Sequence, residues 1–154
     1  MHIFHCRRKI ETLGGYDVLT MINPSNSRWD VKIPKITVSC TKNAEASISF
    51  LPAEVYQEVK GQFDAKENNI NSILGTEKDT DIRFLEKSGF YPKSEGIKYI
   101  RVQESQTHDI INSDDELVLP RGQVLLVRFA TYWNGVVGYV NLNYEHILED
   151  ILED

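Results

Sequence analysis

The chain has 154 residues, 41% hydrophobic and 26% charged, which suits one domain of ordinary size or two small ones and argues against a disordered chain. The formal net charge is -6, and the excess lies late: residues 1–96 carry 13 Lys and Arg against 13 Asp and Glu, residues 97–154 carry 4 against 10. Nucleic acid is therefore excluded as the expected partner, because phosphate binding needs clustered cations, and a basic protein or peptide is the better match.

Two cysteines, Cys6 and Cys40, are too few for a disulfide framework and predict a reduced, cytoplasmic chain. Residues 1–8 have no long apolar run after their charges, so they do not read as a signal peptide. No window approaches the ~18 apolar residues of a membrane span, and no membrane partner is expected.

Residues 2–13 fit a short helix on Phe4, Ile10 and Leu13, ended by Gly14-Gly15, or a strand over 2–6. Asn23–Ser27 is a turn cluster. Residues 29–40 read as extended through Val31, Ile33, Thr37 and Val38, with Pro34 marking an edge or a bend. Residues 46–50 alternate and suggest a partner strand. Leu51-Pro52-Ala53-Glu54 opens a predicted helix whose Leu51, Val55, Val59 and Phe63 share one face. Residues 64–79 read as a loop with a turn of helix near Ile70–Leu74. A second helix is predicted over 80–88, with Ile82 and Leu85 inward and Gly89 as its stop.

Phe90–Gly96 is the best linker, so the reading divides the chain into an α+β region at 1–95 and a β module with an acidic tail at 96–154. Ile97–Val102 is the module's first strand. Residues 103–115 form a polar loop, and Leu117 and Leu119 alternate. Val124–Phe129 is apolar enough to be buried on both sides. Trp133-Asn134-Gly135-Val136 reads as a type I′ hairpin, with Val137 and Tyr139 on the return strand. Ile147, Leu148, Ile151 and Leu152 fit either a short terminal helix or a frayed end.

Three features of residues 97–147 stand in an order that resembles an SH3 domain. These are the acidic Asp114-Asp115-Glu116 ahead of Leu117–Leu119, Trp133 after the apolar strand, and Gly138-Tyr139-Val140-Asn141-Leu142-Asn143-Tyr144. The resemblance covers about a third of the chain and implies an SH3-like β-barrel. It implies that Trp133, Tyr132, Asn143 and Tyr144 line a groove for an extended, proline-containing segment. It also implies that Asp109, Asp114, Asp115 and Glu116 face a basic residue of that segment. The pattern departs at Gln103–Gln106, where the family's first tyrosines would stand, and at Asn141, which replaces the groove proline. The competing reading of Trp133 and Tyr144 is ordinary core or cross-strand packing.

No nucleophile motif, P-loop or dinucleotide turn occurs. His2, His5 and Cys6 are close in sequence, but no second Cys/His pair stands at zinc-site spacing, so no metal or cofactor is expected. The sequence thus predicts a non-enzymatic, adaptor-type interaction module in an α+β protein. Its alternative is an acidic inhibitor or immunity-type protein that covers a basic surface of a partner enzyme.

Overall fold

Burial along the two central strands follows a physical rule legible in their residues. Residues with alternating apolar and polar side chains bury one face, and residues apolar throughout bury both. The computed structural model describes residues 3–11, 15–52, 72–74, 82–88, 95–112, 116–131 and 135–147. Among them the chain forms eleven β-strands and no helix: β1 (Ile3–Glu11), β2 (Gly15–Asn23), β3 (Asp30–Cys40), β4 (Ala44–Pro52), β5 (Ser72–Leu74), β6 (Arg83–Ser88), β7 (Glu95–Val102), β8 (Thr107–Ile111), β9 (Leu117–Leu119), β10 (Gln123–Thr131) and β11 (Val137–Ile147).

The strands make two antiparallel sheets. Sheet A runs β5-β1-β11-β3-β8, with β9 also paired to β3, and sheet B runs β6-β2-β10-β4-β7. Consecutive strands occupy equivalent places in the two sheets: β1 and β2, β3 and β4, β8 and β7, β11 and β10. The short connections 41–43 and 103–106 keep β3 and β4, and β7 and β8, in those places. The order β1-β11-β3-β8 against β2-β10-β4-β7 is that of a double-sheet jelly roll, extended at one side by β5 and β6.

The core lies between the sheets. Sheet A contributes Phe4, Cys6, Val31, Ile33, Ile36, Val38, Cys40, Val140, Leu142 and Tyr144; sheet B contributes Leu19, Met21, Ala46, Ile48, Phe84, Leu125, Val127 and Phe129. β10 is central in sheet B, and Val124 and Leu126 on its other face are buried as well. β11 is central in sheet A and buries only alternate residues.

Pro34 sits where β3 needs no ladder hydrogen bond. Asn143 pairs with Lys35 and Glu145 with Lys32, so Ile33 and Pro34 together oppose Tyr144 in a bulge. On the other edge β9 stops at Ile33 and β8 begins at Ile36. The extra residue shifts the strand's phase, which is why Val31 and Ile33 face the core before it and Ile36 and Val38 after it.

These findings correct the expected fold class. The described chain is all-β rather than α+β with an α/β N-terminal region, and its C-terminal strands join two open sheets rather than closing an SH3-like barrel. Residues 83–88, expected as helix, are β6, with Ile82 and Phe84 buried two apart. Residues 72–74, expected as a helical turn, are β5. Of the two readings of residues 2–13, the strand is the one formed. The polar stretch 103–115 contains β8. The expected hairpin at residues 133–136 does not join β10 to β11, because β10 pairs β2 and β4 while β11 pairs β1 and β3. The chain thus leaves sheet B at β10 and re-enters in sheet A at β11. The helix expected over 51–63 begins with the last residues of β4 and otherwise lies outside the described residues, as does the tail from 148. Every ladder formed by β7 to β11 runs to a strand N-terminal to them, so the pairing crosses the division expected at residues 95 and 96.

Candidate binding face on sheet A

The outer face of sheet A follows from the alternation of β1, β11 and β3. Phe4 and Cys6 turn inward, which leaves His5, Arg7 and Lys9 outward on β1. On β11, Val140, Leu142 and Tyr144 turn inward and Tyr139, Asn141 and Asn143 outward. The phase shift at Pro34 brings Lys35, Thr37 and Ser39 to the same outer face of β3.

Register sets these nine side chains in three cross-strand rows: His5–Asn143–Lys35, Arg7–Asn141–Thr37 and Lys9–Tyr139–Ser39. With strands ~4.8 Å apart and ~3.4 Å of rise per residue, the lattice covers roughly 10 by 14 Å. It contains no carboxylate. The His5 Nδ1 and Asn143 Oδ1 atoms are 2.7 Å apart, so Nδ1 donates to the amide oxygen and the Asn143 NH2 is left to donate elsewhere. Between the rows is a shallow depression of about 190 Å³, lined by His5, Lys35, Thr37, Asn141, Leu142 and Asn143.

Charge is sorted across this face. Lys32 is held by Glu145 at 3.3 Å and by Glu116 at 3.8 Å, and Arg121 by Asp30 at 3.3 Å. Among the described residues no carboxylate pairs with Arg7, Lys9 or Lys35. Across β3, the rows meet Asp109 on β8, opposite Thr37, and Glu116 just before β9, both exposed.

Of the residues expected to bind a partner, the four that the structure describes, Tyr144, Asn143, Asp109 and Glu116, do not form one cluster. Tyr144 is fully buried: its ring stacks on Phe4 with centroids 5.0 Å apart and meets Phe84 at 6.3 Å. Asn143 stands in the lattice. Asp109 and Glu116 mark the acidic edge. Tyr132, Trp133, Asp114 and Asp115 lie outside the described residues. The structure brings Asn143 together with His5, Arg7, Lys9, Lys35, Thr37 and Asn141, which the sequence reading did not group. The polar alternation of Tyr139, Asn141 and Asn143 was a usable signal, but nothing local says that β1 and β3 are its neighbours.

His5 and Cys6 stand on opposite faces of β1, so they cannot share a metal ion. Both cysteines are buried thiols outside any disulfide, Cys6 opposite Leu142 and Cys40 opposite Gly138 in the ladders to β11. Burial pushes the Cys40 thiol up to about 12, which makes it a poor nucleophile.

Among the described residues, no helix is long and apolar enough to cross a membrane. Comparisons with family models, with curated proteins and with solved structures found no match.

Proposed function

We propose that this protein is a non-enzymatic recognition module that holds a partner protein or peptide against the outer face of sheet A. The observation that carries the reading is the polarity of that face. Three cations without carboxylate partners among the described residues stand over β1 and β3, and Asp109 and Glu116 stand at the β8 and β9 edge. A segment laid across the strands would meet cations first and carboxylates about 15 Å further on, so charge would fix its direction. The basic group expected of the partner would belong at the acidic edge. The jelly-roll architecture adds no preference of its own, since it carries many unrelated functions.

The test is an amide NMR titration of the full chain with two pools of short extended peptides, one basic and proline-rich and one acidic. Saturable shifts at Tyr139, Asn141, Asn143 or Asp109 support the reading. A dispersed spectrum that neither pool moves removes it.

A further inference from the structure

We infer that the depression over β1, β11 and β3 is an oxyanion site, taking a carboxylate or a phosphate group; this rests on the recognition reading above and names the chemistry of one part of that face. The lining is rich in donors. Lys35 brings an ammonium group, Thr37 a hydroxyl, and Asn141 and Asn143 amide groups, while Leu142, whose side chain is buried on the other face, contributes backbone. The His5 bond to Asn143 matters because it occupies the amide oxygen, which would repel an anion, and leaves the NH2 as the available end. No carboxylate lines the depression.

On the β1 side the surrounding field has the same sign, while Asp109, opposite Thr37, and Glu145, one row from Asn143 and already paired with Lys32, mark its other limits. Arg7 lies one row from His5 and Lys35, and Lys9 one row further. These cations lack carboxylate partners among the described residues in a chain whose net charge is -6. Placing them together costs mutual repulsion that a bound anion relieves, and a planar guanidinium beside the depression suits an oxyanion's geometry. A volume of about 190 Å³ holds one small polyatomic group and the water around it, not a large ligand. The occupant is therefore a single charged group, either free or at the end of a partner's side chain.

The full chain, 15N-labelled and at low ionic strength, is titrated separately with inorganic phosphate and with a short Asp/Glu-rich peptide. The expected result is saturable movement of the His5, Thr37, Asn141 and Asn143 amides with at least one probe. Arg7→Glu/Lys35→Glu should weaken it at least ~10-fold while the spectrum stays dispersed. Lys35→Gln is the milder second variant, and Lys42→Glu, at a cation already paired with Glu104, is the control that leaves affinity unchanged. Response to phosphate alone assigns a phosphate group; response to the peptide alone assigns carboxylates. No saturation with either probe, or affinity indifferent to both charge changes, overturns the inference. Shifts confined to Asp109 and Glu116 with a basic peptide would overturn it and leave the recognition reading standing.

Discussion

The ring of Phe129 in sheet B lies flat against Gly138 in sheet A, so close that a Cβ at position 138 would stand 3.2 Å from Cε2 and 3.3 Å from both Cδ2 and Cζ. Phe129 is fully buried, so any shift of its ring disturbs the core packed around it. Gly138→Ala should therefore destabilise the fold by about 1–2 kcal/mol, since overpacking outweighs the entropy saved in the unfolded chain. Phe129→Leu in the same chain should recover part of that loss, the two changes being non-additive. Urea midpoints of the four proteins measure it. Equal stability of Gly138→Ala and the parent would show that the sheets have room to separate here.

Tyr144 is the clearest separation of two readings of one residue. Its ring is fully buried between Phe4 and Phe84. Tyr144→Ala should cost roughly 3–5 kcal/mol, as aromatic-to-alanine changes in a packed core do. A thermal melt checks this. A variant of unchanged stability that had lost partner binding would restore Tyr144 to a surface role.

How much of this was legible beforehand varied with the kind of signal. Val124–Phe129 announced its two-sided burial, and Pro34 its break in β3, because both are local properties of a few residues. The polar alternation at Tyr139, Asn141 and Asn143 was equally local. Its neighbours were not: His5 and Lys35 come from 138 and 108 residues earlier than Asn143, brought there by registers that no single strand encodes. Asn134-Gly135 carried turn chemistry but said nothing of which sheet the chain enters next. Residues 80–88 read as a helix because Ile82 and Leu85 stand three apart. The strand they form depends on β2, their partner in sheet B. Trp133 drew attention as a rare residue in a familiar order, which is association and not geometry.

The Cys40 thiol makes stability depend on alkaline pH. Its folded value is pushed up to about 12 by burial, above the 9.0 of an ordinary thiol. Well below pH 9 neither state is ionised and the thiol's full contribution is present. Between 9 and 12 the unfolded chain ionises first, so this group alone removes roughly 1.4 kcal/mol of stability per pH unit. Urea titrations from pH 8 to 11 should show the advantage of the parent over Cys40→Ala shrinking as pH rises. A constant gap would mean the thiolate is accommodated in the fold. Iodoacetamide at pH 8 should leave Cys6 and Cys40 unmodified until denaturant is added.

Ser105 occupies the turn between β7 and β8 with φ of 60°, and its N–H donates to the Cys40 carbonyl at 2.9 Å. A left-handed conformation is costly for serine and mild for asparagine. Ser105→Asn should raise stability by about 0.5 kcal/mol. Ser105→Pro should lower it by ~3 kcal/mol or more, because proline fixes φ near -65° and has no N–H to give. Melting temperatures of both variants check the pair, and a tolerated proline would show that the turn can re-form without this hydrogen bond.

The final expectation concerns residues 96–154 on their own. β10 pairs β2 and β4, β11 pairs β1 and β3, β7 pairs β4, and β8 and β9 pair β3. Among the described residues, none of β7 to β11 pairs with another of that group. Cutting before residue 96 thus removes the ladder partner of every remaining strand and exposes Leu125, Val127, Phe129, Val140, Leu142 and Tyr144, all buried in the intact chain. An unpaired strand has no independent stability in water. The fragment should give a collapsed amide spectrum, and mixing it with residues 1–95 should restore dispersion by rebuilding both sheets. Dispersed peaks from 96–154 alone would mean that these strands can pair among themselves, in a topology different from the one the whole chain adopts.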